Sequence, residues 1–430
     1  MLHRRPGNQG GLVARLQEQA PTAVNRLGDA VAGVGIVPAY QPIVALPDGV
    51  TVGYEALARW PSLDDPRPQA VFEYAAEHGG LDGLDQSCIT AGVDVALRND
   101  LAPGTMLLVN CEPTSTYVGP DDDQVLASGR DRLRVTFEFT ERSLLAHPQA
   151  LLRKLARIRA DGFSIALDDV GAHPDSLAML DVVRPDIIKL DLALVQSDPS
   201  RDQARTLSAV LAHHERTGAV ILAEGIENDH HLEQALALGA DLGQGYKYGR
   251  ARSLEEHGDA APWSMPRERN VVAVDSQSPF DLASRLLEPR TARKRTLLAF
   301  SRHIESQARH AADPPMLMTA LQRATYFTPR TRMNYQAMAA ELPLVAVFGE
   351  DLPDDLGHGV RGVPLASDDP LRLEWTVVIL GPHTASALIA RERDTPEAWV
   401  ADGDRRFDVV MTHDRSLVTM CVRSLLDRMC

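Results

Sequence analysis

The chain has 430 residues, 44% hydrophobic and 24% charged, with a formal net charge of -15. That length exceeds one typical core, so two domains are expected, and the composition excludes disorder throughout. The negative balance argues against nucleic acid polymers as partners, because their binding is dominated by phosphate neutralisation; a local basic pocket is still allowed.

Residues 1–30 read as a polar tail with one weakly amphipathic piece, GLVARLQEQA. The opening MLHRRPGNQG has charge without an apolar core behind it, which is not the pattern of a signal peptide. Over 31–255 short apolar runs alternate with helix-like stretches. The strand candidates are VPAYQPIVA, TVGYEALA, TMLLVN, RLRVTFEF, FSIALDD, DIIKLD, AVILAE and LGQGYKY. Between them lie patterns such as PQALLRKLARIRADG, apolar at three-to-four spacing and closed by Gly162. Such alternation predicts a mainly parallel sheet, and eight strands in this length fit a closed (β/α)8 barrel; an open doubly wound sheet is the competing arrangement.

Residues 256–275, rich in charge, proline and small side chains, read as a linker. A separate α/β unit is expected over 276–430. It opens with the helices DLASRLLE and KRTLLAFSRHIESQARHA, continues with the strands LVAVFGE and RLEWTVVILG, and closes with the helix RSLVTMCVRSLLDRM. The most apolar run, WTVVILGPHTASALIA, is broken by Gly, Pro and His and is too short for a membrane span. Cys88, Cys111, Cys421 and Cys430 form no C-x-x-C pair, which suits a reducing compartment. The expectation is a cytoplasmic protein with no membrane partner.

The barrel's chemistry is written at its strand ends. Glu55, Asn110, Glu138, Asp168 with Asp169, Lys189, Glu224 with Glu227, and Gln244 fall at the C-terminal ends of seven successive strands. That is the face where barrels of this class build their sites. Carboxylates and amides without a Cys or His cluster suit hard cations, Mg²⁺ or Mn²⁺, and ligand type alone does not exclude Ca²⁺. Adjacent Asp168 and Asp169 point to two ions roughly 3.5–4 Å apart with one carboxylate bridging. A lysine inside the apolar run IIKL needs a buried partner, and an acidic site supplies one.

The motifs YQPIV, GYEALARW, VNCEP, FEFTE, ALDDVG, PDIIKLD, AEGIE and GADLGQGY occur in order. Over about residues 35–250 the chain resembles the EAL family of cyclic di-GMP phosphodiesterases. The resemblance implies a modified TIM barrel with an antiparallel first strand and hydrolysis of cyclic di-GMP to linear pGpG. It implies that Glu55, Asn110, Glu138 and Asp168 hold one metal ion and that Asp168, Asp169 and Glu224 hold a second. Lys189 would position and help activate the attacking water. Glu227 and Gln244 would complete the shell, Gln244 through water. Gln41 would contact a guanine and Arg59 a phosphate, with Leu57 beside them on the substrate side. Glu141 would steady the loop after Asp169. Taken alone, Arg59 reads as a surface ion-pair former and Gln41 as a strand-end cap.

The loop after the two aspartates departs from the family pattern D-D-F-G-T-G-Y-S-S-L. Here Val170, Ala172, His173 and Pro174 stand in DDVGAHPDSL. Ala172 has no hydroxyl and Pro174 restricts the backbone. Every ligand position is filled, so the expected effect falls on turnover and its regulation. A weakly active or inactive cyclic di-GMP receptor is the alternative, and a homodimer through the barrel is allowed. The sequence has no G-G-D-E-F motif for synthesis of the dinucleotide. Residues 276–430 resemble the DICT domain, a smaller α/β sensory module. His303, Glu305, Tyr326, Phe327 and Trp375 are its candidates for a ligand pocket, although each also reads as ordinary core or helix surface.

Overall fold

The computed structural model describes residues 23–140, 144–171, 174–197, 200–263, 277–393 and 402–429. The piece GLVARLQEQA, Glu141, Ala172, His173 and the linker from residue 264 onward lie outside these residues.

Eight strands close into a barrel: β1 (Val37–Ala45), β2 (Val50–Arg59), β3 (Met106–Asn110), β4 (Arg134–Thr140), β5 (Ser164–Val170), β6 (Ile187–Leu190), β7 (Val220–Ala223) and β8 (Leu242–Gly243). β1 runs antiparallel to both neighbours, β2 and β8, and the other pairings are parallel. The closed ring excludes the open sheet and carries the antiparallel first strand that the motifs imply. Helices pack outside it. Pro148–Ala160, for example, buries Leu151, Leu152, Leu155 and Ile158 on one stripe.

Strand periodicity sets the interior. Side chains two apart share a face. Leu108, Ala166, Ile187, Leu222 and Leu242 form an apolar floor inside the ring. The next inward positions on the same strands are Asn110, Asp168, Lys189, Glu224 and Gln244. One layer is oil and the layer above it is acid and amide.

β8 is shorter than LGQGYKY predicts. Only Leu242 and Gly243 pair, after which the chain turns back and the Lys247 N–H bonds the Ile226 carbonyl. Gly245 sits at φ +155, where an added Cβ would lie 2.2 Å from that carbonyl oxygen. The described start of the expected linker is docked on the barrel. The Ala261 N–H bonds the Thr51 carbonyl at 2.8 Å, and Trp263 packs against the barrel floor.

The C-terminal unit is a seven-stranded mixed sheet of β9 (Arg290–Arg293), β10 (Met316–Arg323), β11 (Val345–Glu350), β12 (Val360–Pro364), β13 (Glu374–Leu380), β14 (Ala385–Glu392) and β15 (Arg406–Thr412), in the order β12-β11-β10-β13-β14-β15-β9. The helices Lys294–His310 and Pro329–Ala339 cover one face. Pro279–Leu286 and Arg415–Leu426 cover the other. Arg415–Leu426 is buried nearly all round, because its far side packs on the barrel helices Pro148–Ala160 and Leu180–Val183. Among the described residues no helix is long and apolar enough to cross a membrane.

Candidate functional site

The acids at the barrel mouth converge on one ammonium. Lys189 Nζ lies 2.8 Å from Glu224 Oε1, 3.1 Å from Asp168 Oδ1 and 3.6 Å from Glu55 Oε2, and it pairs with Glu138 at contact distance. Gln244 Nε2 donates to Glu55 Oε2 at 2.7 Å, and Asn110 Nδ2 reaches Glu55 Oε1 at 3.4 Å. Lys189, Glu138 and Gln244 are buried. The sequence-predicted core of the site is therefore one cluster.

Asp169 joins it by a break in the strand. Regular alternation would turn its side chain to the opposite face from Asp168. Instead Asp169 adopts φ 55°, and the β5–β6 register slips between Leu167 and Val170. Aspartate tolerates this left-handed conformation better than most residues, and a bulge beside a site re-aims a side chain. As a result Asp168, Asp169 and Glu224 can offer ligand oxygens all within 4.8 Å of one another.

Charge bookkeeping explains the titration. Burial, with Asp168 and Glu55 nearby, pushes the Glu138 carboxyl well up. Burial likewise raises Glu224, to about 8, with neighbouring carboxylates adding to the effect and Lys189 opposing it. Burial opposes ionisation of Asp168 too, but Lys189, Glu138 and the Asp169 N–H together hold it below its usual range. The surrounding acids outweigh desolvation at Lys189 and keep it a firm cation. One ammonium thus serves four carboxylates, with Asp169 a fifth beside them, and more positive charge would be accommodated. Among the described residues Glu138 Oε2 and Gln244 Oε1 are buried acceptors without a hydrogen-bond donor. Orphaned oxygens in an all-oxygen donor set fit a hard divalent cation.

Beside the cluster lies a cavity of about 580 Å³ whose walls include Leu57, Arg59, Phe72, Asn110, Glu112 and Glu138. Among the described residues Arg59 pairs with no carboxylate, and it donates only to the Ala58 carbonyl at 2.9 Å. Gln41 stands opposite Glu55 in the β1–β2 register and is half-buried. Glu227 is not drawn into the cluster: it is exposed, with its N–H on His231 Nδ1.

Sequence reasoning missed the support under this cavity. Lys154 is buried and donates to the Glu112 carbonyl at 2.6 Å, the Ser115 carbonyl at 3.0 Å and Ser115 Oγ at 2.8 Å, with Asp85 Oδ2 at 3.9 Å. Asp85 also accepts the Glu112 N–H at 3.1 Å, so the pair ties down the loop after β3. The available signal was a lysine standing beside Leu151, Leu155 and Ile158 in an otherwise apolar helical stripe.

A second cavity, of about 600 Å³, lies in the C-terminal domain. Glu305, Tyr326 and Trp375 line it. Phe327 is buried in the core against Tyr335, and His303 is exposed outside the lining.

A closed barrel with one antiparallel strand carries an acid-walled mouth built around a lysine, whose oxygen donors suit a hard cation. The chain belongs to the EAL domain family, whose model matches residues 24–251. Residues 279–393 match the DICT model, the sensory domain in diguanylate cyclases and two-component systems. An uncharacterized Azorhizobium caulinodans protein is 34% identical over 232 residues, 49% of this chain and 31% of that protein. The cyclic di-GMP phosphodiesterase RocR of Pseudomonas aeruginosa is 32% identical over 227 residues, 49% of this chain and 56% of RocR. The matches thus span about a third to a half of these relatives' lengths. A solved Klebsiella pneumoniae BlrP1 manganese/cyclic di-GMP complex is 27% identical, with a TM-score of 0.45 over 51% of this chain and 57% of that one.

Proposed function

We propose that this protein hydrolyses cyclic di-GMP to linear pGpG with two divalent cations, Mg²⁺ or Mn²⁺, and that its C-terminal domain regulates the reaction. The observation that carries the reading is the cluster of five carboxylates, Asn110 and Gln244 around Lys189, beside a cavity that presents Arg59. Family membership and RocR's name support cyclic di-GMP as the substrate.

Glu55, Asn110, Glu138 and Asp168 would hold one cation, and Asp168, Asp169 and Glu224 the other. When bound, such ions offset phosphate charge and lower the pKa of water. The protein's own groups do the rest. Arg59 presents a forked donor set suited to a phosphate, with no carboxylate among the described residues competing for it. Leu57 and Phe72 give the cavity apolar wall against which a base can lie. Lys189 is kept charged by its acids and donates to the attacking water, fixing its approach. Gln244 holds Glu55 in place through its 2.7 Å bond. Glu141 and Glu227 keep the roles of steadying the loop and completing the shell as part of the proposal.

Regulation has a physical route. The loop after Asp169 leads through Pro174–Met179 into Leu180–Val183. There Arg415 of the C-terminal domain binds Asp181, and Arg423 Nε donates to the Val182 carbonyl at 3.0 Å. A shift of Arg415–Leu426 is thereby passed toward the ligand-bearing loop.

Glu55→Ala tests the assignment. It should bind cyclic di-GMP in calorimetry yet form no pGpG; turnover matching wild type would rule out Glu55 as a ligand. The second reading, a receptor that binds without hydrolysis, is favoured by Ala172 and Pro174 in the departing loop. Tight binding by the wild type with no product in Mn²⁺ selects it.

A further inference from the structure

We infer that the C-terminal cavity is a binding site for a small organic anion that joins a flat ring to a phosphate, sulfonate or carboxylate. The inference is independent of the barrel's activity.

The cavity's volume, about 600 Å³, lies in the range of small-molecule sites. One wall is the helix Lys294–His310. Leu298, Ser301, Arg302, Glu305 and Arg309 recur at three-to-four spacing and line it from one face. The opposite wall is the Thr325–Tyr326 turn and the start of Pro329–Ala339, which brings Arg330. The floor is Trp375 from β13 and Phe407 from β15, their rings edge to face at 6.0 Å.

The lining is cationic inside a chain of formal net charge -15. Of the two acids in the lining, Glu305 and Asp402, the second is already paired, with Lys294 at 2.6 Å and with Arg405 at 3.3 Å. Arg405 also binds Glu392 just behind. By contrast Arg302, Arg309 and Arg330 make no ion pair within 4 Å among the described residues, although two helices bring them to the rim of one pocket; Arg302 and Arg309 act on Glu305 only at longer range. Forked guanidinium donors left free in this way match an oxyanion.

The interior suits a ring. Tyr326 has Lys294 Nζ 4.8 Å and Arg405 Cζ 5.1 Å from its ring centroid, which fixes the ring as part of the wall. Trp375 adds a second aromatic surface. Glu305 supplies orientation: Ser301 Oγ and Tyr335 Oη both donate to its Oε1, at 3.0 and 3.1 Å. Its Oε2 has no protein donor among the described residues and remains an acceptor for an N–H or O–H on the ligand.

The test uses the full-length chain and 8-anilinonaphthalene-1-sulfonate, a fluorescent ring-bearing sulfonate. Saturable one-to-one binding is expected, competed by 2-naphthoate or by GMP but not by inorganic phosphate or guanosine at equal concentration. Competition by naphthoate alone selects aromatic carboxylates as the natural class, and competition by GMP alone selects nucleotides; either upholds the site. The double variant Arg302→Glu, Arg309→Glu should weaken binding at least tenfold. These side chains are exposed, so its thermal midpoint should be unchanged. Arg330→Glu, on the other wall, should weaken binding independently. No saturable binding by the wild type, or undiminished binding by both folded variants, would overturn the inference.

Discussion

Lys189 is the residue on which the barrel mouth balances. Its Nζ holds Glu55, Glu138, Asp168 and Glu224 within 3.6 Å. Lys189→Met would leave these carboxylates facing each other in a buried site, a loss of about 3–5 kcal/mol for breaking such a pairing. The variant should unfold at a clearly lower temperature in EDTA and regain much of the loss in excess Mn²⁺. A midpoint that ignores Mn²⁺ would mean that these acids do not bind the ion. The raised Glu138 and Glu224 carboxyls carry a second prediction. Glu224 favours the protonated form until pH approaches about 8, and Glu138 is shifted in the same direction. A cation must displace those protons, so Mn²⁺ affinity should climb as pH rises toward 8 and then level off. Calorimetry in two buffers of different ionisation heat reads the proton release directly, and a pH-independent affinity would refute it.

At the scale of elements, the barrel was legible because seven of its eight strands are short apolar runs that carry a ligand type toward their C-terminal ends, and helices such as Pro148–Ala160 have an apolar stripe. The sheet of the second domain was harder to read. β10 is MLMTALQR and β14 is ASALIARE, runs rich in Ala, Leu, Met, Gln and Arg, which favour helix in isolation. Pairing on both sides in the middle of a sheet overrides that preference. β9, only RTAR and largely exposed, offered no apolar signal at all. In the site, the acids were legible from strand ends. The left-handed Asp169 that turns two neighbouring aspartates to one centre was not, because adjacency gives composition and not direction. Gly245 makes the corresponding point for β8. Gly245→Ala would drive a Cβ into the Ile226 carbonyl and shift Gln244 off Glu55. Thermal unfolding should show a loss of about 1–3 kcal/mol, with turnover falling further than stability; an unchanged midpoint would contradict the packing.

For the whole molecule, the two domains share one continuous apolar cluster, sealed by ionic contacts at Asp181. This aspartate meets His213 Nδ1 at 3.1 Å, Arg216 at 3.1 Å and Arg415 from the other domain. Burial opposes ionisation there, but His213 and the two arginines win and hold the Asp181 carboxyl far below its ordinary value. A depressed carboxyl stabilises the fold fully above the unfolded value of about 4 and loses that contribution as pH falls below it. Asp181→Asn should therefore destabilise the chain at pH 7, by about 3 kcal/mol given the part-exposed arginines. The gap between variant and wild type should close in strong acid, and a pH-independent gap in unfolding free energy would contradict the ionic account. Arg415→Glu, far from any ligand position, should alter turnover without altering the metal set.

The most direct measurement of the central claim is product formation. The purified full-length protein is incubated with cyclic di-GMP and Mn²⁺, metal binding is checked calorimetrically, and nucleotides are separated over time. Linear pGpG should accumulate with the wild type and not with Glu55→Ala; no pGpG from a metal-loaded wild type at high enzyme concentration would contradict the account.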